Sequence, residues 1–542
     1  MLSDATEEGV PWSPIKIAAR FAYQPSKGFL QMDGMHLEHE NSLIGANKVA
    51  SDLLPESKRT ESSPALPAQA VCKVLLIKPY LKMQGSILHP LGLLYVAEGL
   101  KKHLGKRVHI TILDMQRRQL DETWLERHLD QLAPNIVGIT ALNHEADIAR
   151  KLGETVKKWN SICLTVLGGP YALRQSKNIF AASNAFDWVI EGAGDRNFPC
   201  ALDRYLKKEN LGTDLAGFSY RIANNHHHIT NTVDVISDLD AYAMPAWDLA
   251  EFDEYAWVPS SNPFMRPGRY ATLFTSRGCP YHCGYCHDIF TKKFHFRSAE
   301  SVLEEIELLH SQYGIDEFMV LDDIFNLNKP RLKKIMSEVK KRWKGKLRFS
   351  FMNGLRADIL DEEVINALAD GGTYVVSLGV ETASPRLQQL TGKHLDLEKT
   401  KIAIELLENK GISVLGFFML GFPTETPEEI RSTINLAIKS PLTMASFFTV
   451  VPQPGTPLFD LAEEAGATHL NENLLNTKES GRPYRSKASW YEKTYQYPLY
   501  KDVISATWHF YFFEPKRLIK LLWRWPKTAI LRNVSVIISW LR

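Results

Sequence analysis

The stretch Arg277-Gly-Cys279-Pro-Tyr-His-Cys283-Gly-Tyr285-Cys286 decides how this 542-residue chain is read. Its cysteines follow the spacing C-x3-C-x2-C, with an aromatic residue directly before the last. Three thiolates on one short loop can hold three irons of a [4Fe–4S] cube, because soft sulfur suits iron–sulfur clusters. The fourth iron is then left without a protein thiolate and open to an exogenous ligand. A structural zinc knuckle is the competing reading, with His282 or His287 as fourth ligand. Zinc sites, however, usually draw on two separated pairs rather than a tight trio. A disulfide framework fits less well. The chain has six cysteines, and Cys72, Cys163 and Cys200 are scattered through apolar stretches where they read as buried small hydrophobes. That scarcity fits a reducing compartment.

With Tyr285 included, the trio resembles the signature of the radical S-adenosylmethionine (radical SAM) enzymes. The resemblance implies that Cys279, Cys283 and Cys286 are the metal-binding and catalytic residues. It also implies that SAM chelates the open iron through its methionine end, and that an electron entering the sulfonium produces a carbon radical.

Composition sets the outer bounds. A chain of this length holds roughly two to four domains. Its 44% apolar and 23% charged residues are ordinary for a soluble protein, and a formal net charge of +2 gives no reason to expect nucleic acid. Residues 1–29 carry charges and prolines but no sustained apolar core of a signal peptide. No run reaches the roughly 18 apolar residues of a spanning helix. The expected location is the cytoplasm. Residues 1–70 are polar and weakly periodic, with a Ser- and Pro-rich linker between Pro55 and Pro67, and read as a disordered N-terminal extension.

From Cys72 onward, short apolar runs (Lys73-Val-Leu-Leu-Ile-Lys78, Val108-His-Ile-Thr-Ile-Leu113, Asn135-Ile-Val-Gly-Ile-Thr140, Leu164-Thr-Val-Leu167, Asp187-Trp-Val-Ile190) alternate with segments of helical length. That alternation predicts an α/β fold with a doubly wound, Rossmann-like parallel sheet over 71–210. Such sheets bind ligands beyond the carboxyl ends of their strands. The loops there read His89-Pro-Leu-Gly92, Thr140-Ala-Leu142, Gly168-Gly169 and Glu191-Gly-Ala-Gly-Asp195. Together they resemble the cobalamin-binding domain of cobalamin-dependent radical SAM enzymes. The resemblance implies cobalamin contacts at Pro90, Leu91, Gly92, Thr140, Leu142, Gly168, Gly169, Glu191 and Gly192. Thr140, where the family has serine, and Ala193 depart from its pattern and leave open a domain that has lost its corrinoid. The D-x-H-x-x-G motif of histidine-ligated cobalamin proteins is absent. His89 and His144 read as solvated or hydrogen-bonding residues, so no histidine is expected on the lower cobalt face.

Residues 211–265 read as a connector, with His226-His-His228 at a polar hairpin tip rather than a metal site. Strand and helix patterns resume from Tyr270. Strands are expected at 271–276, 318–321, 347–352, 374–379, 413–420 and 445–451, and an amphipathic helix opens at the N-cap Ser298 and stops at Gly314. Six βα units predict a partial (β/α)6 barrel of TIM type over 266–460, with its chemistry at the carboxyl ends of the strands. There lie the cysteine loop, Asp322-Asp323, Asn353-Gly-Leu-Arg356, Glu381, Gly421-Phe-Pro-Thr-Glu425 and Pro452-Gln-Pro-Gly-Thr-Pro457. The family resemblance is closest over 271–458. It implies SAM contacts by Asp322 and Asp323 (amino group), Glu381 (ribose or methionine moiety) and Gly421 and Glu425 (adenine region), with Tyr285 beside the cofactor.

Residues 461–542 are helical and aromatic. From Lys516 to Arg542 there are seven basic residues and no acidic ones, interleaved with Trp523, Trp525 and Trp540. Such a segment suits either a helical cap over the barrel mouth or peripheral contact with an anionic membrane. The whole resembles a cobalamin-dependent radical SAM methyltransferase. The resemblance implies a [4Fe–4S] cluster, SAM and cobalamin as cofactors, and a low-potential electron donor of flavodoxin or ferredoxin type. It further implies methyl transfer to an unactivated carbon of a small-molecule substrate through a 5′-deoxyadenosyl radical. The alternatives are an oxidative cyclase or oxidase of the same architecture, akin to tetrapyrrole ring cyclases, and a non-catalytic cobalamin-binding sensor.

Overall fold

Two parallel sheets organise the chain in a computed structural model. It describes residues 71–529 except 82–86, 224–225, 231, 234–236, 243, 259, 287–288, 291, 454 and 468–489. The N-terminal extension expected over 1–70 lies outside the described residues. The first sheet comprises β1 (Cys72–Lys78), β2 (Val108–Asp114), β3 (Ile136–Thr140), β4 (Leu164–Gly168), β5 (Trp188–Ile190), β6 (Phe218–Ala223) and β7 (His226–His228), in the order β2-β1-β3-β4-β5-β6-β7. Strands β1 to β5 are parallel; β6 and β7 are antiparallel additions. Part of the expected connector is therefore sheet. The three histidines form an edge strand paired with β6 rather than a loop tip, because Tyr220 and Arg221 supply partners in register.

Helices α1 (Leu91–Leu104), α2 (Glu122–Leu132), α3 (Ala146–Trp159), α4 (Ser176–Ala182) and α5 (Gly194–Lys207) cover the two faces. The near-continuous apolar strands explain the burial on both sides: Val74 and Leu76 face one core, Leu75 and Ile77 the other. The chain reverses direction across the sheet between β1 and β3. The crevice at this switch point is where open α/β sheets bind ligands.

The second sheet runs β15-β14-β13-β12-β11-β8, all parallel, from β8 (Ala271–Leu273), β11 (Glu317–Val320), β12 (Arg348–Leu355), β13 (Thr373–Glu381), β14 (Ser413–Leu420) and β15 (Met444–Thr449). It is the open six-stranded half-barrel expected from the pattern. Its helices are α6 (Ala299–Tyr313), α7 (Lys329–Trp343), α8 (Glu362–Asp370), α9 (Pro385–Leu390), α10 (Leu397–Asn409), α11 (Pro427–Lys439) and α12 (Pro457–Glu464). Ser298 caps α6 by accepting from Ser301 N at 3.1 Å, and Gly314 ends it with φ +66°. The first strand is shorter than expected. After Leu273 the chain bends, and Ser276–Arg277 (β9) pairs antiparallel with His295–Phe296 (β10).

The two units share one apolar core. Leu91, Leu94 and Tyr95 of α1 pack in the same cluster as Trp247, Phe252 and the barrel side chains Ala271 and Leu273. Three further helices, α13 (Trp490–Tyr495), α14 (Leu499–Phe512) and α15 (Pro515–Arg524), complete the described chain. Helix α13 and the first residue of α14, Leu499, reach the carboxyl-end loops. Helix α14 lies along edge strand β15, where the Tyr511 hydroxyl bonds Ala445 N and O. Helix α15 sits at the opposite end, with Arg517 donating to the carbonyls of Ile438, Ser440 and Leu442. Of the cap expected over 461–542, the described α14 and α15 brace the flank, where the unpaired edge of β15 needs cover, while 468–489 and 530–542 lie outside the described residues. Among the described residues, no helix is long and apolar enough to cross a membrane.

His89 is a correction to the sequence reading. It is buried among the rings of Tyr255 (4.2 Å), Tyr270 (4.8 Å) and Phe252 (5.5 Å), and neither ring nitrogen has a partner. It is buried from solvent and has no hydrogen-bond partner among the described residues. Burial, with Lys78 nearby, lowers its pKa from 6.5 to about 3. Below its ordinary pKa the unfolded chain takes up a proton that the folded chain refuses, so stability is lost as pH falls through that window. His89→Phe is expected to flatten the acid limb of a melting-temperature profile between pH 7 and pH 4 (a range on the order of the two pKa values). An unchanged slope would locate the acid sensitivity elsewhere.

Candidate active site

The cysteine loop leaves the end of the first barrel strand and is clamped from several sides. Gly284 N donates to Thr391 O at 2.7 Å, and Leu458 N donates to Gly284 O at 2.9 Å, so the loop is stitched to the segment after α9 and to the first turn of α12. The Arg356 guanidinium, paired with Asp358 at 2.8 Å, stacks 3.7 Å from the Tyr281 ring centroid and donates to Lys393 O and His394 O. Tyr285 packs its ring against the apolar cluster of Leu387, Phe422, Val450 and Leu458. Its buried hydroxyl lies in the electrostatic neighbourhood of Glu381, Cys283 and Cys286.

All three thiols are free, Cys279 and Cys283 half-buried and Cys286 exposed. Burial pushes the pKa of Cys279 up, and that of Cys286 to about 11. Burial therefore favours the neutral thiol at Cys279 and Cys286 until iron supplies the positive charge that holds them as thiolates. Among the described residues, no three His, Cys, Asp or Glu side chains gather as a single metal ion would require. The donor set, three soft thiols on one fixed loop, fits a cluster. His282, the described candidate for a fourth zinc ligand, is exposed; His287 lies outside the described residues.

The carboxylates expected around the mouth do different things. Asp322 is buried beneath the loop and accepts from Thr275 N (2.6 Å), Thr275 Oγ1 (2.5 Å) and Ser276 Oγ (2.6 Å). Its oxygens are engaged in holding the loop base, which corrects the expected contact with SAM. Asp323 instead lies in the electrostatic neighbourhood of Cys279 and Cys286.

Glu381 ends β13 with φ +65°, in a region that costs a non-glycine residue of order 1 kcal/mol or more. Its carboxylate pairs with Lys393 at 3.3 Å. A Cβ on Gly379 would sit 2.5 Å from Glu381 Oε1 and 3.0 Å from Lys393 Nζ, so glycine there lets this pair lie back across the strand.

Gly421 and Glu425 are turned away from the expected role. Glu425 Oε2 accepts from Gly421 N (2.5 Å) and Phe422 N (2.9 Å), and its Oε1 is buried without a partner. Burial raises its pKa to about 8. Gly421 faces α13 and α14, where a Cβ would meet Leu499 and Tyr491.

At the carboxyl edge of the first sheet, nothing lies within 4 Å of a Cβ built on Gly92 or Gly168. Leu142 is 36% exposed beside them in the fold, a large apolar side chain at the switch-point crevice. Glu145 tethers the Leu142 loop through Leu142 N (2.8 Å) and keeps one buried oxygen without a partner. Bare backbone and an exposed leucine at the carboxyl edge of the sheet fit a flat group such as a corrinoid. Pro90 opens α1, Gly192 turns with φ +95°, and Gly169 packs against Thr140 Oγ1 and Ala141. Leu91 and Glu191 do not face the crevice. Leu91 is buried in the shared core, and Glu191 accepts from Arg174 N (3.0 Å) and from Ser176 N and Oγ.

The two edges meet. Arg277, which opens the cysteine motif, pairs with Asp195 at 2.9 Å and lies 5.0 Å from the Tyr95 ring centroid. Tyr95 Oη reaches Phe274 O at 3.3 Å. Asp195 starts α5 just where Gly99 of α1 lets the helices close, since a Cβ there would overlap the Asp195 carbonyl. Sequence reading missed Arg277, Asp195, Lys393 and Arg356 as partners. Arg277 and Arg356 adjoin strand ends, but Asp195 lies in a helix and Lys393 after one, so no local signal marked the four together.

Comparison with known proteins places these edges in a family context. Residues 77–201 match the B12 binding domain and residues 273–437 the Radical SAM superfamily. The chain is 31% identical over 414 residues to an uncharacterized methyltransferase of Pyrococcus horikoshii, covering 75% of this chain and 85% of that protein. It is 27% identical to the anaerobic magnesium-protoporphyrin IX monomethyl ester cyclase of Rubrivivax gelatinosus, covering 71% of this chain and 69% of that one. Among solved structures, the radical S-adenosylmethionine methyltransferase TsrM from Kitasatospora setae, with tryptophan substrate and a SAM analog bound, superposes with a TM-score of 0.60 at 18% identity. That match covers 73% of this chain and 77% of the other, a likeness of fold.

Two substitutions test the buried carboxylates. Asp322→Asn leaves Arg331 without its buried counter-charge and is expected to cost about 3–5 kcal/mol. Iron uptake should fall with it, measured by denaturant titration and iron assay; full stability would mean Asp322 does not hold the loop. Glu425 is protonated more readily folded than unfolded, so its contribution is lost as pH rises from 4.5 to about 8. Glu425→Gln should flatten stability across that window, with the wild-type slope retained if Glu425 is not the group responsible.

Proposed function

The chain belongs to the radical SAM superfamily, in the branch with a B12-binding domain, and we propose that it transfers a methyl group from SAM to an unactivated carbon of a small molecule. The observation that carries this reading is the joining of the cysteine loop to the corrinoid-type crevice through Arg277–Asp195. An electron-delivering site and a group-carrying site on one mouth suit a radical that receives a group held next door. When bound, the cluster supplies the electron that cleaves SAM and the cobalamin carries the methyl group.

The protein's share is to hold, orient and exclude. Cys279, Cys283 and Cys286 hold the cluster, and Arg356, Thr391 and Leu458 keep their loop from shifting. Asp323 and the Glu381–Lys393 pair present charge of both signs to the charged end of SAM, with Tyr285 as an apolar wall. Asp322 and Glu425 support the loops from beneath. Gly92, Leu142, Gly168 and Gly192 form the crevice edge against which cobalamin lies, with Thr140 and Gly169 shaping the turn behind it. The electron comes from a donor of flavodoxin or ferredoxin type.

Oxidative cyclisation is the second reading, favoured by the 27% identity to the ring cyclase over most of both chains. Product analysis separates the two. Anaerobic reconstitution with iron, sulfide and hydroxocobalamin should yield about four irons per chain and bound corrinoid. Addition of SAM and a low-potential reductant should then give 5′-deoxyadenosine and methionine, and with substrate S-adenosylhomocysteine as well. 5′-Deoxyadenosine without S-adenosylhomocysteine would favour the cyclase. Replacing the three cysteines by alanine should abolish 5′-deoxyadenosine formation while corrinoid binding persists.

A further inference from the structure

Helix α15 turns three of its four cations inward and leaves apolar side chains outside. Arg517 is buried, donating to Leu442 O (3.2 Å), Phe510 O (2.8 Å), Ile438 O (2.7 Å) and Ser440 O (2.9 Å). Lys520 and Arg524 both reach the buried Glu408 carboxylate at 2.6 Å, and Arg524 also bonds Thr443 Oγ1 and Glu408 O. The face turned to the outside is Ile519, Leu522 and Trp523, exposed by 67%, 57% and 83%. On α14 a second apolar stripe, Ile504, Trp508 and Phe512 at intervals of four residues, is also exposed, and Phe513 in the turn between the helices is 68% exposed. Seven exposed large apolar side chains on two successive helices and the turn between them mark an interaction surface rather than ordinary scatter.

The charge along these two helices is mainly positive. From Val503 to Arg542 the only acidic residue is Glu514, whereas Lys516 and Lys527 are exposed and Arg532 and Arg542 follow in sequence. Tryptophans, aliphatic side chains and lysines on one short helix are the set that partitions into the headgroup boundary of an anionic bilayer. A second copy of this chain would bring like charges together across the same face. We propose that α14 and α15 form a peripheral docking surface for an anionic lipid bilayer. Because α15 is fastened to the amino ends of β14 and β15 through Ser413 and Thr443, the bound protein keeps its cysteine loop at the end away from the lipid. The proposal is independent of the catalytic reading, since it needs neither cluster nor corrinoid.

The test is vesicle flotation with the full chain. Phosphatidylcholine vesicles containing about one third phosphatidylglycerol should carry the protein, pure phosphatidylcholine much less, with binding to the anionic vesicles weakening as salt rises. Leu522→Ser combined with Trp523→Ser should lower partitioning roughly ten-fold or more, with the melting temperature near wild type because both side chains are exposed. Lys516→Glu with Lys527→Glu should abolish the preference for anionic vesicles. Wild-type flotation undiminished by the double serine variant would overturn the proposal, as would failure of the wild type to float. So would a wild-type dimer in light scattering that the serine variant dissociates, which would make a second copy the cover. Removal of residues 530–542 that raises vesicle binding would identify the chain's own end as the cover and overturn it likewise.

Discussion

The structure depends on a buried ionic network under the cysteine loop. Asp322 holds Thr275 and Ser276, Arg331 donates to Thr275 O (2.8 Å) and Arg297 O (2.6 Å), and Arg297 donates to Phe274 O (3.2 Å) and pairs with Glu305. Glu305 in turn accepts from Trp247 Nε1 at 2.8 Å. Burial raises the pKa of Asp322 and lowers that of Arg331 to about 10, so each charge is uncomfortable alone. A network of this kind stabilises only when its members are satisfied together. Here the shared bonds, with Arg331 Nη1 alone left unpaired in this network among the described residues, fix the residues just after the first barrel strand, the starts of α6 and α7, and the connector at Trp247. The loop that must hold a cluster thus begins from a point the rest of the domain determines.

At the far side of the mouth the same economy of space governs Glu381. Its left-handed backbone and the register shift beside Gly379 aim the carboxylate at Lys393 instead of along the strand. Strain kept at a strand end has to be overdetermined by its surroundings. Arg356 supplies that restraint, since it grips the carbonyls of Lys393 and His394 while stacking on Tyr281 of the cysteine loop. The charged pair and the thiols are therefore positioned by one guanidinium.

The strands and helices were legible because their periodicity is local: apolar runs for doubly covered strands, i, i+3, i+4 stripes for helices. The thiol trio was legible because its spacing is its chemistry. The direction of each loop carboxylate was not. Asp322, Glu191 and Glu425 follow strands just as Glu381 does, yet each spends its oxygens on backbone N–H or hydroxyl groups that only the tertiary fold brings near. His89 misled for the same reason, its aromatic surroundings coming from residues 252–270. The inverted face of α15 was invisible too, because inward and outward are exchanged by Glu408 and three carbonyls far away in sequence.

The union of the two sheets follows from the same logic of satisfied polar groups inside an apolar frame. Leu91, Leu94 and Tyr95 bury α1 against the barrel, which brings Arg277 and Asp195 into a largely buried setting with 13% and 5% side-chain exposure. An exposed pair would contribute little, but one held out of water is costly to break, because either partner alone is left uncompensated. Sliding one sheet against the other would strand Arg277 and open the Tyr95–Phe274 contact at once. The crevice and the thiols therefore keep a fixed separation, and a group passing between them meets a mouth whose two walls cannot drift apart independently.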